Sequence, residues 1–150
     1  MLISPNMVTQ MKESVAVVIR NASGDILIVR RDENDDSLPG VWGFPAASLR
    51  PGETPEDAVI RAGESKLGVK LAVLDYLGDD AVETGSAVNR LSEYAAEIAE
   101  GTPSVPQRDT SVSQYVDVRF TDDPTALFEA AREGSMCSRI YLRQIGIEWA

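Results

Sequence analysis

The chain has 150 residues, 43% of them hydrophobic, and 24 acidic against 14 basic side chains give it a formal charge of −10. That is enough length and apolar content for one domain with a real core. The acidic balance argues against a nucleic-acid partner, whose backbone needs clustered Lys and Arg. No run is apolar enough to cross a bilayer, and no signal peptide is read near the N-terminus, so a membrane is not an expected partner. There is no histidine, which removes Ser-His and Cys-His catalysis. The single cysteine, Cys137, excludes an internal disulfide and suits a cytoplasmic location; without a charged neighbour at Met136 or Ser138 it reads as a small buried hydrophobe.

Residues 1–12 read as a loose lead-in to one domain over residues 13–150. Val15 to Ile19 is a short β-branched run, expected as a buried strand. The turn cluster Asn21 to Asp25 and the run Ile26 to Arg31 predict a return strand and a hairpin. Asp32 to Gly40 reads as a loop, and Val41 to Ala47 as the next strand. Alternation sends at most one of Arg30 and Arg31 inward. Trp42 and Phe44 form either a stacking wall or, more often for aromatics, part of a core.

The next stretch has clear helix ends. Pro51-Gly52 marks a turn, Thr54 is an N-cap, and Pro55 suits the first helical position. Glu56 and Asp57 face the positive end of the helix dipole, and Gly68 suits a left-handed C′ residue. The predicted helix runs over Pro55 to Leu67.

Beyond it, Val69 to Leu77 reads as a strand, and Gly78 to Asn89 as a polar loop or broken hairpin. Leu91 to Glu100 allows strand or helix. Gly101 to Thr110, with Pro103 and Pro106, reads as a loop, and Gln114 to Phe120 as a half-buried strand. Asp122 or Asp123 caps a helix that places Leu127, Phe128 and Ala131 on one stripe. Gly134-Ser135 interrupts it before a last helix, Cys137 to Gln144, with Ile140, Tyr141 and Ile145 expected inward. Mixed strands and helices make the class α+β.

Glu53, Arg61, Gly68 and Val69, with Trp42, Phe44 and Pro45 before them, fall at the spacing of a long motif. On these residues the chain resembles the Nudix (MutT-like) family. The resemblance implies a Nudix α/β/α sandwich with a mixed sheet, and makes Leu91 to Glu100 a strand. It implies hydrolysis of a nucleotide or other diphosphate-linked compound, with water attacking phosphorus while Mg²⁺ or Mn²⁺ offsets the phosphate charge. Family members are often dimers, so a homodimer is an expectation of the resemblance alone.

The departures from the motif sit where that chemistry resides. Its first Gly is Ala47, its three metal-holding Glu positions are Ala62, Ser65 and Lys66, and the aliphatic after the first Glu is Gly63. The usual metal-dependent site is therefore expected to be impaired. Glu64 lies about 200° from position 62 on a helix of 3.6 residues per turn, and so on the other side.

Three readings follow. The metal site has moved to oxygens among Glu53, Glu64, Glu83, Glu93 and Glu97; or catalysis is lost and the pocket binds a small phosphate ligand, with Lys66, Arg30 or Arg31 meeting its phosphate directly and Mg²⁺ or Mn²⁺ needed as cofactor only if the chain is active; or only the fold remains, as a partner-binding or structural protein. By the same resemblance Glu53 and Arg61 brace the loop against the helix, more often than they take part in catalysis.

Overall fold

The computed structural model describes residues 10–35, 38–105 and 115–149. Its centre is β1 (Gln10–Ile19), whose run Val15 to Ile19 is buried throughout. Side chains alternate across a strand. Val15, Val17 and Ile19 therefore enter one core, while Ala16 and Val18 enter a second on the opposite face. A strand covered on both faces loses the polar half of its pattern, which is why this run reads as continuously apolar.

Strand β1 pairs with β4 (Ala46–Ser48) on one side and, in parallel, with β6 (Ala87–Glu100) on the other. The sheet order is β4-β1-β6-β5, where β5 is Lys70–Thr84. Both edges of β1 are thus taken. The expected hairpin between β1 and β2 (Ile26–Arg31) reduces to a single bridge, Arg20 to Ile26. Strand β2 instead joins a second sheet, β3-β2-β7, with β3 at Trp42–Gly43 and β7 at Tyr115–Thr121. Phe44-Pro45 breaks the predicted strand Val41 to Ala47 into β3 and β4, one in each sheet.

Gly78 to Asn89 is not a loop. Strands β5 and β6 pair out to Thr84 and Ala87, turning at Gly85-Ser86. Ala81, Val82 and Glu83 are exposed in this ribbon. With no face buried there, no period-two pattern marks it in the sequence. Leu91 to Glu100 is strand, as expected. Strand β1 begins at Gln10, inside the stretch read as lead-in. The rest of that lead-in, and residues 106–114 of the predicted loop and strand, lie outside the described residues.

Helix α1 (Pro55–Ala62) covers the first core and passes into a π-helical turn, Gly63–Leu67. Thr54 Oγ1 accepts from the Asp57 N–H at 3.1 Å, and Gly68 closes the turn at φ +67°. The second core is closed by a 3₁₀ turn (Pro124–Leu127) capped by Asp123, then α2 (Phe128–Arg132) and α3 (Met136–Gln144). Ser135 caps α3, and Ile140 and Tyr141 are buried; Ile145 falls beyond its last turn and is 40% exposed, against expectation. Among the described residues no helix is long and apolar enough to cross a membrane.

Candidate functional site

The loop before α1 is held by one ion pair. Arg61 Nε donates to Glu53 Oε2 at 2.8 Å and its Nη2 to Oε1 at 2.9 Å, while Nη2 also reaches the Ser48 carbonyl at 2.7 Å. Glu53 Oε1 accepts in addition from the Arg50 N–H at 3.0 Å. The Arg61 contacts, then the Arg50 N–H, pull the Glu53 carboxyl down to about 2. A carboxylate so occupied is a poor base. The pair ties strand β4, the Pro51-Gly52 turn and α1 into one unit.

Gly63 opens the π-helical turn. A Cβ there would lie 2.6 Å from Leu71 Cγ and 2.7 Å from its Cδ1. Leu71 of β5 thus fills the space that an aliphatic side chain at position 63 would need. The Gly63 carbonyl accepts from the N–H groups of both Gly68 and Val69.

Ala58 and Ala62 press their small side chains into the first core, and Lys66 continues their four-residue row. Lys66 is half-buried, and its Nζ donates to the Ala46 carbonyl at 2.5 Å. It stands 5.4 Å from the Tyr115 ring centroid, within cation–π range. The Tyr115 hydroxyl accepts from the Ala46 N–H at 2.9 Å and lies 3.2 Å from the Ala46 carbonyl oxygen. Burial, then the charges of Arg31 and Arg61, lower the Lys66 ammonium to about 8, with Asp35 opposing weakly.

Tyr115 was not singled out in the sequence, and its position depends on a bulge. Arg30 pairs with Asp117 but Arg31 with Tyr115, which leaves Val116 as the extra residue. The shift puts Tyr115 on the same core as Val118 and Phe120. A tyrosine at the start of an apolar alternation was the available signal.

The other candidates separate. Arg31 Nη1 meets Asp35 Oδ2 at 3.3 Å and lies on the Lys66 side. Arg30 Nε is buried and lacks a hydrogen-bond partner among the described residues. Phe44 is 2% exposed and meets Tyr141 edge-on at 5.1 Å, so its ring belongs to the core. Trp42 lies beneath Arg119 at 4.5 Å. Glu64, Glu83 and Glu97 are exposed. Glu93 is fully buried, but on the core opposite Lys66: its strand neighbour Tyr94 faces α1, whereas Leu91 packs in the α3 core.

Arg31, Trp42, Phe44, Ser135 and Cys137 border a cavity of about 10 Å³, room for about one water. A larger groove of about 340 Å³, lined by residues including Arg20, Asp25, Asp122 and Tyr141, contains none of the motif positions.

A family model for the NUDIX domain matches residues 11–133. The chain belongs to the Nudix family. The solved ORF135 protein of E. coli superposes with a TM-score of 0.69 at 20% identity, over 95% of this chain and 97% of that one. A MutT protein from Methanosarcina mazei gives 0.67 at 17% identity, over 91% and 96%. In sequence, 52 residues are 46% identical to isopentenyl-diphosphate Delta-isomerase of Corynebacterium diphtheriae, covering 34% of this chain and 28% of the relative. A further match, 32% identical over 59 residues, is to RNA pyrophosphohydrolase of Pseudomonas putida, covering 39% of this chain and 34% of the relative. The chain thus spans about a third of the length of these two relatives or less.

A divalent ion of the family's kind does not suit this donor set. Position 62 offers a buried methyl group, and position 66 an ammonium. The Ser65 hydroxyl at the remaining position donates to the Arg61 carbonyl at 2.8 Å. Mg²⁺ and Mn²⁺ prefer carboxylate oxygens. Among the described residues no three Asp, Glu or Cys side chains come together as a metal-binding group.

Proposed function

We propose that this Nudix domain takes a nucleotide or other diphosphate-linked compound, and that the family's metal-dependent hydrolysis of it is impaired. The observation that carries this reading is Lys66: a fixed ammonium stands at a motif position reserved for a metal-holding Glu, beside an intact Glu53–Arg61 brace. The two sequence relatives are named for isopentenyl diphosphate and for RNA pyrophosphohydrolysis, which favours a diphosphate as the recognised group.

Cations without a base favour binding over turnover. Lys66 and Arg31 offer N–H donors to phosphate oxygens. Glu53 is engaged by Arg61 and Glu64 faces solvent, so neither is set to deprotonate a water.

The test is a phosphate-release screen over nucleoside diphosphate compounds with Mg²⁺ and Mn²⁺. The unmodified chain is run beside the triple variant Ala62→Glu, Ser65→Glu, Lys66→Glu. Release by the triple variant alone is the expected result. Robust turnover by the unmodified chain would show that the site is not impaired.

A further inference from the structure

We propose that Lys66 is the resident cation of this site, and that the domain takes its diphosphate ligand as the metal-free anion and not as the magnesium complex. The proposal rests on the preceding reading, that the ligand carries a diphosphate.

The geometry of the ammonium supports it first. Lys66 Nζ donates to the Ala46 carbonyl, and among the described residues no carboxylate forms an ion pair with it. An ammonium has three N–H donors. The carbonyl contact uses one, leaving two for a ligand's oxygens. The group is also held in place, since Tyr115 offers its ring to Lys66 and its hydroxyl to Ala46.

Local charge supports it next. Among the described residues, Arg31 and Arg61 act on Lys66 as like charges and Asp35 as an opposite one, while Glu53 pairs with Arg61 and feels Arg50, so cations outnumber carboxylates in this group. The whole chain carries −10. An anion approaching this protein finds attraction only where such a local excess exists.

The same excess repels a divalent ion. Mg²⁺ lodging here would sit beside an ammonium, with the Ala62 methyl and the Ser65 hydroxyl as its motif neighbours. Mg²⁺ also demands near-octahedral oxygen ligands and sheds water reluctantly. A diphosphate already wrapped around Mg²⁺ has spent much of the charge that Lys66 would meet. Free Mg²⁺ in solution should therefore compete with the protein for the ligand.

The experiment is calorimetric titration of the full chain with inorganic pyrophosphate, ADP and UDP, in EDTA and then in excess MgCl₂. Saturable binding is expected in EDTA, and weaker binding with Mg²⁺. Lys66→Met should lose about tenfold in EDTA, the worth of one charge-assisted hydrogen bond. Lys66→Glu should reverse the sign of the magnesium effect. Binding by the unmodified chain only when Mg²⁺ is present would overturn this inference and leave the diphosphate reading standing. No binding of any probe in either buffer would overturn both. Unchanged affinity of a folded Lys66→Met in EDTA would also overturn it. Should either variant fail to fold, the two-buffer comparison on the unmodified chain decides alone.

Discussion

Lys66 and Glu93 are ionisable groups that the fold withdraws from water on opposite sides of the sheet, and it treats them differently. Lys66 keeps a carbonyl, an aromatic face and partial solvent contact. Burial lowers its pKa only to about 8, so it is mostly charged at neutral pH. Glu93 is 0% exposed, and among the described residues neither of its carboxyl oxygens has a hydrogen-bond partner. Desolvation pushes it up to about 9, and burial, with the Glu93 charge as the second cause, raises the Cys137 thiol beside it. Burial keeps the acid neutral, since among the described residues no donor reaches its anion. A buried charge survives only where local dipoles replace water. The region of Lys66 keeps a charge in place, and the region of Glu93 packs an uncharged acid.

The largest effect should come from removing the isolated acid. At pH 7 the folded chain must hold a proton that the unfolded chain, with a carboxyl near 4.5, has released. That costs on the order of 3 kcal/mol. Glu93→Met should therefore raise stability by roughly that amount in urea titration, and Tm by about 6–12 °C. A lower Tm would show that Glu93 has a stabilising partner.

The pH dependence sharpens the contrast. Because the folded pKa of Glu93 lies above its unfolded value, its favourable contribution is complete below about 4.5 and is lost as pH rises towards about 9. The Lys66 pKa is lowered instead, so its term makes stability rise between about 8 and 10.5. Glu93→Met should remove the fall and keep the rise, as measured by melting across pH.

Arg61→Ala comes next, at about 2 kcal/mol of destabilisation, because Glu53 and the Ser48 carbonyl lose their Arg61 donors together, and Glu53 keeps only the Arg50 N–H. It should also raise the Lys66 pKa, readable by NMR of the lysine side chain, since Arg61 is one of the charges pressing it down.

Gly63→Ala should cost about 1–3 kcal/mol, because the new methyl meets Leu71. Adding Leu71→Ala should make the pair less destabilised than the sum of the two single changes. Strict additivity in a double-mutant cycle would deny that Leu71 fills that space.

Much of the fold was legible because local signals and tertiary demand agreed. Thr54, Pro55 and Gly68 each mark a helix end through their own backbone chemistry, and all three fall where the structure ends that element. The β5–β6 ribbon was not legible, since an exposed hairpin leaves no hydrophobic pattern. The pairing of β2 was missed because apolar runs specify burial but not partners.

At the candidate site, the Glu53–Arg61 pair could be anticipated from the family resemblance. The Lys66–Ala46–Tyr115 arrangement could not, because it joins three distant parts of the chain and needs the bulge at Val116.

The sequence by itself determined the helix ends, the buried central strand, the Nudix resemblance and the loss of three carboxylates, because each is written in residue type and spacing. Only the tertiary structure decided that Lys66 points at a carbonyl and that Glu93 lies on the other core. Which groups surround a side chain, and so how it is charged, depends on contacts between segments that no local pattern encodes.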